Sequence, residues 1–534
     1  MVAAEIVRRR TMTTTRSLLL ACVLAWCTAW LTGCASLPAR QPPPPAYALA
    51  DVGTTSLARV AAASMPADAQ DRSGLRMLPE GPFSLDARLA LAARAEKSLD
   101  LQYYQLQSDS VGFRLLRAVR DAAARGVRVR LLVDDFYTAG QDELFGTLAA
   151  YPNVQVRLFN PLPERKGNFV GRFIGSASAF SRINHRMHNK LFIADNSISV
   201  AGGRNIGDEY FMQSETANFI DADVLATGPV VRAQSAAFDL YWNSAFVWPI
   251  EQVVPPFLAP EDARQRFDTL IGPEPEPVAV RTHDVLGKTP VQTQLAEGRL
   301  DLLFAKATVV VDQPDKIERK DAAAQFAGSV TQHVMDLMDT ARQQVLIISP
   351  YFIPGRRGME RLGRAVGNGV KVTIYTNSLA STDEPLVYLG YARYRDDLLK
   401  LGFEIYEVAP HRGASTNLGA FGTSISRLHA KISVVDDDRI FVGSMNLDSR
   451  SARINTEIGL IVESAEVVRE FRRLIPARGF QSAYRLRLSD SGRVEWLEPR
   501  EDGGYTVHHD NPGTNWIAEF WNWFNALFVG EEQL

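Results

Sequence analysis

The chain has 534 residues, with 58 Lys and Arg against 61 Asp and Glu, a formal net charge of −3 and a pI near 6.3. A hydrophobic content of 46% with 22% charged residues excludes a disordered chain, and the length exceeds what one ordinary core organises, so two or three domains are expected. The charge balance leaves no electrostatic footprint for nucleic acid, although a local basic groove can hide within a neutral total.

Residues 1–33 read as a signal peptide. Arg8, Arg9, Arg10 and Arg16 supply a positive start, with Met12 an alternative initiator, and Leu18 to Leu31 is an apolar stretch short for a bilayer span. The stretch ends in Leu31-Thr32-Gly33-Cys34, which resembles a bacterial lipobox with Cys34 as the lipidated residue; an uncleaved anchor helix or a plain signal peptide is the alternative. All three cysteines (Cys22, Cys27, Cys34) lie in this segment, so the body has no thiol for a disulfide or a Cys-based metal site. Lipid on Cys34 would hold the protein at a membrane surface, and Ala35, where Asp would favour inner-membrane retention, points to the outer membrane facing the periplasm. Residues 34–75, with Pro42 to Pro45, read as an extended tether, and ordered sequence is expected from about Arg76 to Leu85.

Two similar stretches follow. In residues 76–254 the periodicity predicts a helix over Asp86–Ser98, a strand over Leu99–Tyr104, a helix over Phe113–Arg125 and a buried strand over Gly126–Val133. In residues 321–485 it predicts the same sequence of elements: helix Ala327–Gln344, strand Val345–Tyr351, helix Met359–Val366 and strand Gly369–Tyr375. Residues 255–320, rich in Pro and charge with only short apolar runs, are expected to be a connecting excursion. Residues 486–534 form a tail whose aromatic run from Trp516 to Phe528 suits either a packed C-terminal helix or an interfacial element.

Each half carries one copy of a polar pattern. His188-Asn189-Lys190 with Asp195 is followed by Gly202-Gly203 and Asn205; His429-Ala430-Lys431 with Asp436 is followed by Gly443-Ser444 and Asn446. On a strand, residues i and i+2 share a face, so His188 with Lys190 and His429 with Lys431 are expected to point together. The glycines are expected to form a turn that returns Asn205 and Asn446 to the same pocket. Two imidazoles, two ammonium groups and two amides suit phosphodiester chemistry without a metal. One imidazole attacks phosphorus, the other acts as acid and base, and lysines and asparagines hold the non-bridging oxygens. No cofactor is expected, and His185, His283, His333, His411, His508 and His509 show no regular metal spacing. Asp134-Asp135 after a strand could form a divalent-metal pair, though a turn or capping role is the more common use.

The two motifs, with Arg186 to Lys190, Gly202 to Phe211 and Gly443 to Ser451, resemble the phospholipase D superfamily, and more narrowly the bacterial cardiolipin synthases that take phosphatidylethanolamine as donor. The resemblance implies two α/β/α sandwich halves packed around one interfacial active site. It implies His188 as nucleophile and His429 as acid/base, with the reverse left open. Glu457 matches the acid that orients the second histidine; Asp221, with Asp223 close behind, is the candidate for the first. Asp195 and Asp436 complete the catalytic motifs and are expected to brace the pocket, and Arg427 is a candidate phosphate contact. The implied partners are phospholipids at a membrane surface rather than nucleic acid, with a helper protein left open. A hydrolase releasing phosphatidic acid, a nuclease and a non-catalytic phospholipid-binding lipoprotein are the alternatives.

Overall fold

The repeat is present strand for strand. The computed structural model describes residues 36–165, 167, 169–176, 179–276, 279–410, 424–474, 483–500 and 502–514, and eighteen strands in it join one sheet. The first half runs in spatial order β1 (Ser73–Leu78), β8 (Asp223–Thr227), β6 (Ile198–Gly202), β5 (Leu191–Ala194), β2 (Ser98–Tyr103), β3 (Arg128–Asp134), β4 (Val154–Phe159) and β9 (Val247–Pro249). The second half repeats that order as β10 (Leu303–Val311), β17 (Ile458–Glu463), β16 (Arg439–Gly443), β15 (Ile432–Val435), β11 (Gln344–Ile348), β12 (Lys371–Asn377), β13 (Glu404–Val408) and β18 (Ala483–Leu488). It then continues into β19 (Val494–Pro499) and β20 (Tyr505–His508). β1 pairs antiparallel with β10 and fuses the halves. A separate parallel pair, β7 (Ala217–Ile220) with β14 (Ile425–Leu428), also crosses between them.

The layers follow from which faces are apolar. β2 and β3 are parallel and, apart from half-buried Arg128, buried along their length, so helices must cover them. The helices Gly81–Arg94 and Ser110–Ala124 cover the outer face of the first half through Leu85, Leu91, Leu115 and Val119. Helices Val330–Asp339, Gly355–Gly367 and Pro385–Lys400 cover the second through Val334, Leu362 and Leu398. Gly126 (φ 94°) and Gly369 (φ 84°) end equivalent helices in a left-handed conformation that glycine adopts without a Cβ penalty. The inner faces meet in a shared core that takes Leu132, Leu191 and Ile193 from one half and Leu346, Ile432 and Val434 from the other. Burial of that core holds the two motifs in one rigid frame.

Three expectations are corrected. Residues 255–320 are more than an excursion: they hold helices Pro260–Ile271 and Val291–Ala296 and the nine-residue strand β10. Its Ala-Thr-Val-Val-Val run spans a sheet junction in which many positions are only half-buried, so polar residues interrupt the apolar pattern. Order begins before Arg76, because β1 starts at Ser73 and a helix at Ser56. Residues 36–50 lie along the first half: Arg40 donates to the Val247 and Ser244 carbonyls, and the Ala46 amide donates to Asn243. Cys34, His411 and the aromatic run from Trp516 to Phe528 lie outside the described residues. No helix among the described residues is long and apolar enough to cross a membrane.

Candidate active site

His188 and Lys190 sit on the extended segment entering β5, and His429 and Lys431 on the equivalent entry to β15, one step ahead of the strands where alternation placed them. The i, i+2 geometry still holds. Lys190 Nζ donates to the His188 carbonyl at 2.6 Å, and Lys431 Nζ to the His429 carbonyl. All four side chains are buried, the most exposed being His188 at 7%.

The acid partners are crossed between the halves, contrary to the expected pairing. His188 Nδ1 lies 2.9 Å from Glu457 of the second half, and His429 Nδ1 lies 2.6 Å from Asp221 of the first. Backbone pairing enforces the exchange. Met187 bridges in parallel to Thr456, and the His188 amide donates to the Thr456 carbonyl, immediately before Glu457. Likewise β14 runs into His429 alongside β7, which ends at Ile220, and the His429 amide donates to the Ile220 carbonyl just before Asp221. Each histidine therefore meets the acid of the partner strand, which belongs to the other half.

An ionised carboxylate only accepts, so each Nδ1 must carry a hydrogen and each Nε2 keeps its lone pair. Burial, then the neighbouring lysine charges, lower His188 to about 4 against the pull of Glu457, and lower His429 to about 3 against the pull of Asp221. For Asp221, burial is outweighed by His429, Lys431 and Arg204, leaving it at about 2; Glu457 is lowered in the same sense by His188 and Lys190 despite burial. Burial also brings Lys431 down to about 8 and Lys190 well below the usual ammonium range, and each lysine is depressed by or depresses groups of the other motif. The two motifs thus form one electrostatic site.

Asn205 donates Nδ2 to Tyr210 Oη at 2.9 Å, and the Oδ1 atoms of Asn205 and Asn446 are both buried without a partner. Gly202 and Gly443 end β6 and β16, and Gly203 follows β6 at a bend. A Cβ on Gly203 would meet Asp221 Oδ1 at 2.2 Å and one on Gly443 the Ile458 carbonyl at 2.5 Å. Close approach of the Asp221 side chain and of the strand beside Gly443, not backbone freedom, demands them. Ser444 occupies the place of Gly203 in the second half and donates to Glu457, which also accepts from Ser451 Oγ at 2.8 Å.

Asp195 and Asp436 lie at the far ends of β5 and β15 rather than bracing the pocket, about 13 Å along a four-residue strand. Both adopt positive φ, 49° and 54°, which Asp tolerates by local hydrogen bonding. Asp195 accepts from the amides of Glu96, Lys97 and Ser98, and Asp436 from those of Arg342, Gln343 and Gln344. They tie the hairpin to the start of the neighbouring strand. Asp223 is no histidine partner either, because Arg88, Arg204 and Ser84 take its carboxylate. Asp134 and Asp135 are not a metal pair: Asp135 is held by Arg165 and Arg172, and Asp134 by Arg186 and the Met187 amide. Arg427 lies half-buried in β14 and its charge acts on Glu209. Among the described residues no group of three or more His, Cys, Asp or Glu is placed to hold a metal.

Several supporting roles escaped the sequence reading. Asp134 fixes the backbone ahead of His188, and its counterpart Asn377 pairs with both the amide and the carbonyl of Leu428 ahead of His429. Their common place at the ends of β3 and β12 was the available signal. Rings pack on the histidines: Tyr104 edge-on to His188 at 5.0 Å, and Tyr210 and Phe219 on His429 at 5.1 and 4.9 Å. From Tyr104 the aromatic contact continues to Tyr137 at 5.3 Å and on to Phe169, stacked at 5.8 Å and 41% exposed, so it reaches the surface.

A family model described as cardiolipin synthase, PLD-like domain, matches residues 89–242 and 334–477, spans that include both motifs. The chain is 39% identical over 448 residues to cardiolipin synthase C of Escherichia coli strain K12, covering 82% of this chain and 92% of that protein. It is 24% identical over 427 residues to cardiolipin synthase A of Pseudomonas fluorescens, covering 79% and 72%. Among solved structures, the phosphatidylserine synthase of Haemophilus influenzae Rd KW20 shares the fold with a TM-score of 0.54 at 14% identity, covering 88% of this chain and 96% of that one. Two matched halves, both motifs intact and near-full-length identity to such a relative lead to one conclusion: the chain belongs to the phospholipase D-like family of cardiolipin synthases.

Proposed function

We propose that the protein is a phosphatidyltransferase that makes cardiolipin by transphosphatidylation through a phosphohistidine intermediate. The observation that carries the reading is the pair of buried neutral imidazoles, each with Nδ1 on a carboxylate and Nε2 free. In the proposed cycle His188 Nε2 attacks the phosphorus of a phospholipid such as phosphatidylethanolamine, and His429 protonates the departing head-group oxygen. His429 then takes the proton from a glycerol hydroxyl of phosphatidylglycerol, whose oxygen displaces His188 and forms the product diester. Atoms balance: one P–O bond is exchanged for another, and the proton returns to the pocket.

Charge supports this sequence. With both lysines protonated, they offset Asp221 and Glu457, so a bound phosphodiester brings one uncompensated negative charge. A proton on one imidazole neutralises it, and the partner carboxylate stabilises the imidazolium. Lys190 and Lys431, each with N–H groups left after bonding the motif carbonyl, would hold the non-bridging oxygens. With its amide turned over, Asn205 would accept from Tyr210 and donate to phosphate. The surface around Phe169, Val170 and Phe173, 39% to 61% exposed beside the ring contact to His188, suits acyl chains better than a soluble diester.

We also propose that Cys34 carries lipid and holds the enzyme at the envelope membrane, with the outer membrane favoured by Ala35. The test of function is lipid analysis after incubation with phosphatidylethanolamine and phosphatidylglycerol. Cardiolipin is expected from the wild type and none from His188→Ala or His429→Ala. Phosphatidic acid accumulating without cardiolipin would make the protein a hydrolase instead.

A further inference from the structure

The halves differ at one helix N-terminus. In the first half, helix Ser110–Ala124 begins at Asp109, whose carboxylate accepts from the Gly112 amide, while Asp208 accepts from the Val111 amide at 2.8 Å. Two carboxylates of the chain thus close the positive end of the helix. The equivalent helix Gly355–Gly367 begins at Pro354, which has no side chain to cap it, and has no acidic residue in its first turn. Ser449 stands three residues after Asn446, where Asp208 stands three after Asn205. Instead of carboxylates, this end carries Arg356 and Arg357. Both are exposed, and neither forms an ion pair among the described residues.

That helix end opens into a cavity of about 830 Å³. Phe326, Met335, Phe352 and Leu362 give it apolar walls, and Arg357 lies 5.5 Å over the Phe326 ring. Thr331 also lines it, is 5% exposed, and leaves its Oγ1 without a hydrogen-bond partner. Arg361 in the same wall is held by Asp336 and Asp339 and is not available. Of the acidic wall residues, Glu360 is exposed and Asp448 spends one oxygen on the Ser451 amide. The wall adjoins the strand end that carries the second motif's asparagine, because Leu447 bridges Phe352, its carbonyl accepts from the Ile353 amide, and the residue before it is Asn446.

We propose that this cavity binds a second, anionic phospholipid, the acceptor. Its phosphodiester replaces the missing carboxylates at the helix end between Arg356 and Arg357, its chains lie on the apolar walls, and its head group extends past Leu447 towards Asn446. An open helix N-terminus, two unpaired guanidinium groups and an orphaned hydroxyl call for an anion; the apolar walls make it a lipid rather than free phosphate. The assignment rests on the transferase reading for its role as acceptor site.

The test uses the full chain with His188→Ala to stop turnover, titrated calorimetrically with dihexanoyl phosphatidylglycerol below its micelle concentration and, separately, with glycerol 3-phosphate. Arg356→Glu with Arg357→Glu is expected to weaken lipid binding at least about tenfold, since a charge-assisted hydrogen bond to phosphate is roughly twice as strong as a neutral one. Ser449→Asp, which puts a carboxylate on the cavity wall where the first half has Asp208, is expected to weaken it in the same direction. Unchanged lipid affinity in both variants, or glycerol 3-phosphate binding as tightly as the lipid, would overturn the proposal. With His188 restored, the same variants should raise KM for phosphatidylglycerol but not for phosphatidylethanolamine. A wild type that binds phosphatidylglycerol but makes no cardiolipin would sink the transferase reading and leave the binding site standing.

Discussion

The two halves share a strand order and a motif, yet they hold their acids differently. Asp221 is short, packs against Gly203 where no side chain fits, and takes the amide of Ala222. Glu457 is one methylene longer and is gripped by Ser444 and Ser451. Outside the pocket the divergence grows, with one helix end sealed by Asp109 and Asp208 and the other left open beside arginines. Duplication preserved the frame that makes two imidazoles converge, while the surroundings became unequal. An unequal surrounding is what a reaction with two different lipids requires.

The comparison is tested most strongly at the histidines. His188→Ala should lower turnover by about 10⁴-fold or more, the scale of losing a nucleophile. His429→Ala should cost about 10²- to 10⁴-fold on lipids, but much less on a diester with a nitrophenol leaving group, which departs without a proton. Rate measurements with both substrates check the division of labour, and the opposite pattern would exchange the two roles. The crossed acids come next. Glu457→Gln should act through His188 and Asp221→Asn through His429, each by about 10²- to 10⁴-fold in kcat. In double variants, Glu457→Gln should add little to His188→Ala but compound with His429→Ala. Additivity with the wrong histidine would break the crossed arrangement.

The pH dependence sharpens the electrostatic side. Both histidines are bases lowered to about 4 and about 3, so falling pH protonates them only at the bottom of that range. Lys431 at about 8 loses its charge as pH rises through that value. Because one ring must take up a proton with the diester, the kcat/KM profile should decline steadily as pH rises above about 4, with no break at about 6.5, the ordinary imidazole value, and fall more steeply past about 8, the extra loss being absent in Lys431→Arg. An acid limb at the ordinary imidazole value would mean that burial does not govern the rings. The smallest effects belong to the motif aspartates. Asp195→Ala should destabilise by about 1–3 kcal/mol through three orphaned amides, Asp436→Ala by less because its carboxylate is partly exposed. Both should retain kcat in the folded fraction, as measured by denaturant unfolding alongside activity.

Much of this was legible in the sequence. The helix and strand periods around Leu99–Tyr104 and Gly126–Val133, repeated at Val345 and Gly369, identified the duplicated frame, because buried parallel strands and their covering helices leave strong apolar patterns. The spacing from His188 to Asn205 and from His429 to Asn446 identified the site. The partner of each histidine was not legible, because it depends on which backbone edge lies beside Met187 and Leu428, and pairing between halves leaves no local signature. The role of the glycines was misread for a related reason: a close approach by Asp221 looks in sequence like a turn. β10 was missed because it is only half-buried and its apolar run is broken by Lys306 and Thr308. Asp195 and Asp436 were expected to brace the pocket from their place in the motif, whereas their work is on backbone amides a strand's length away.

The most direct test of the central claim is to mix the purified chain with phospholipid labelled at phosphorus, quench within one turnover, and locate the label by peptide mass. A phosphatidyl group on the peptide containing His188, acid-labile and lost on adding phosphatidylglycerol as cardiolipin appears, is the predicted result. A chain that turns over lipid with no label on either His188 or His429 would contradict the account.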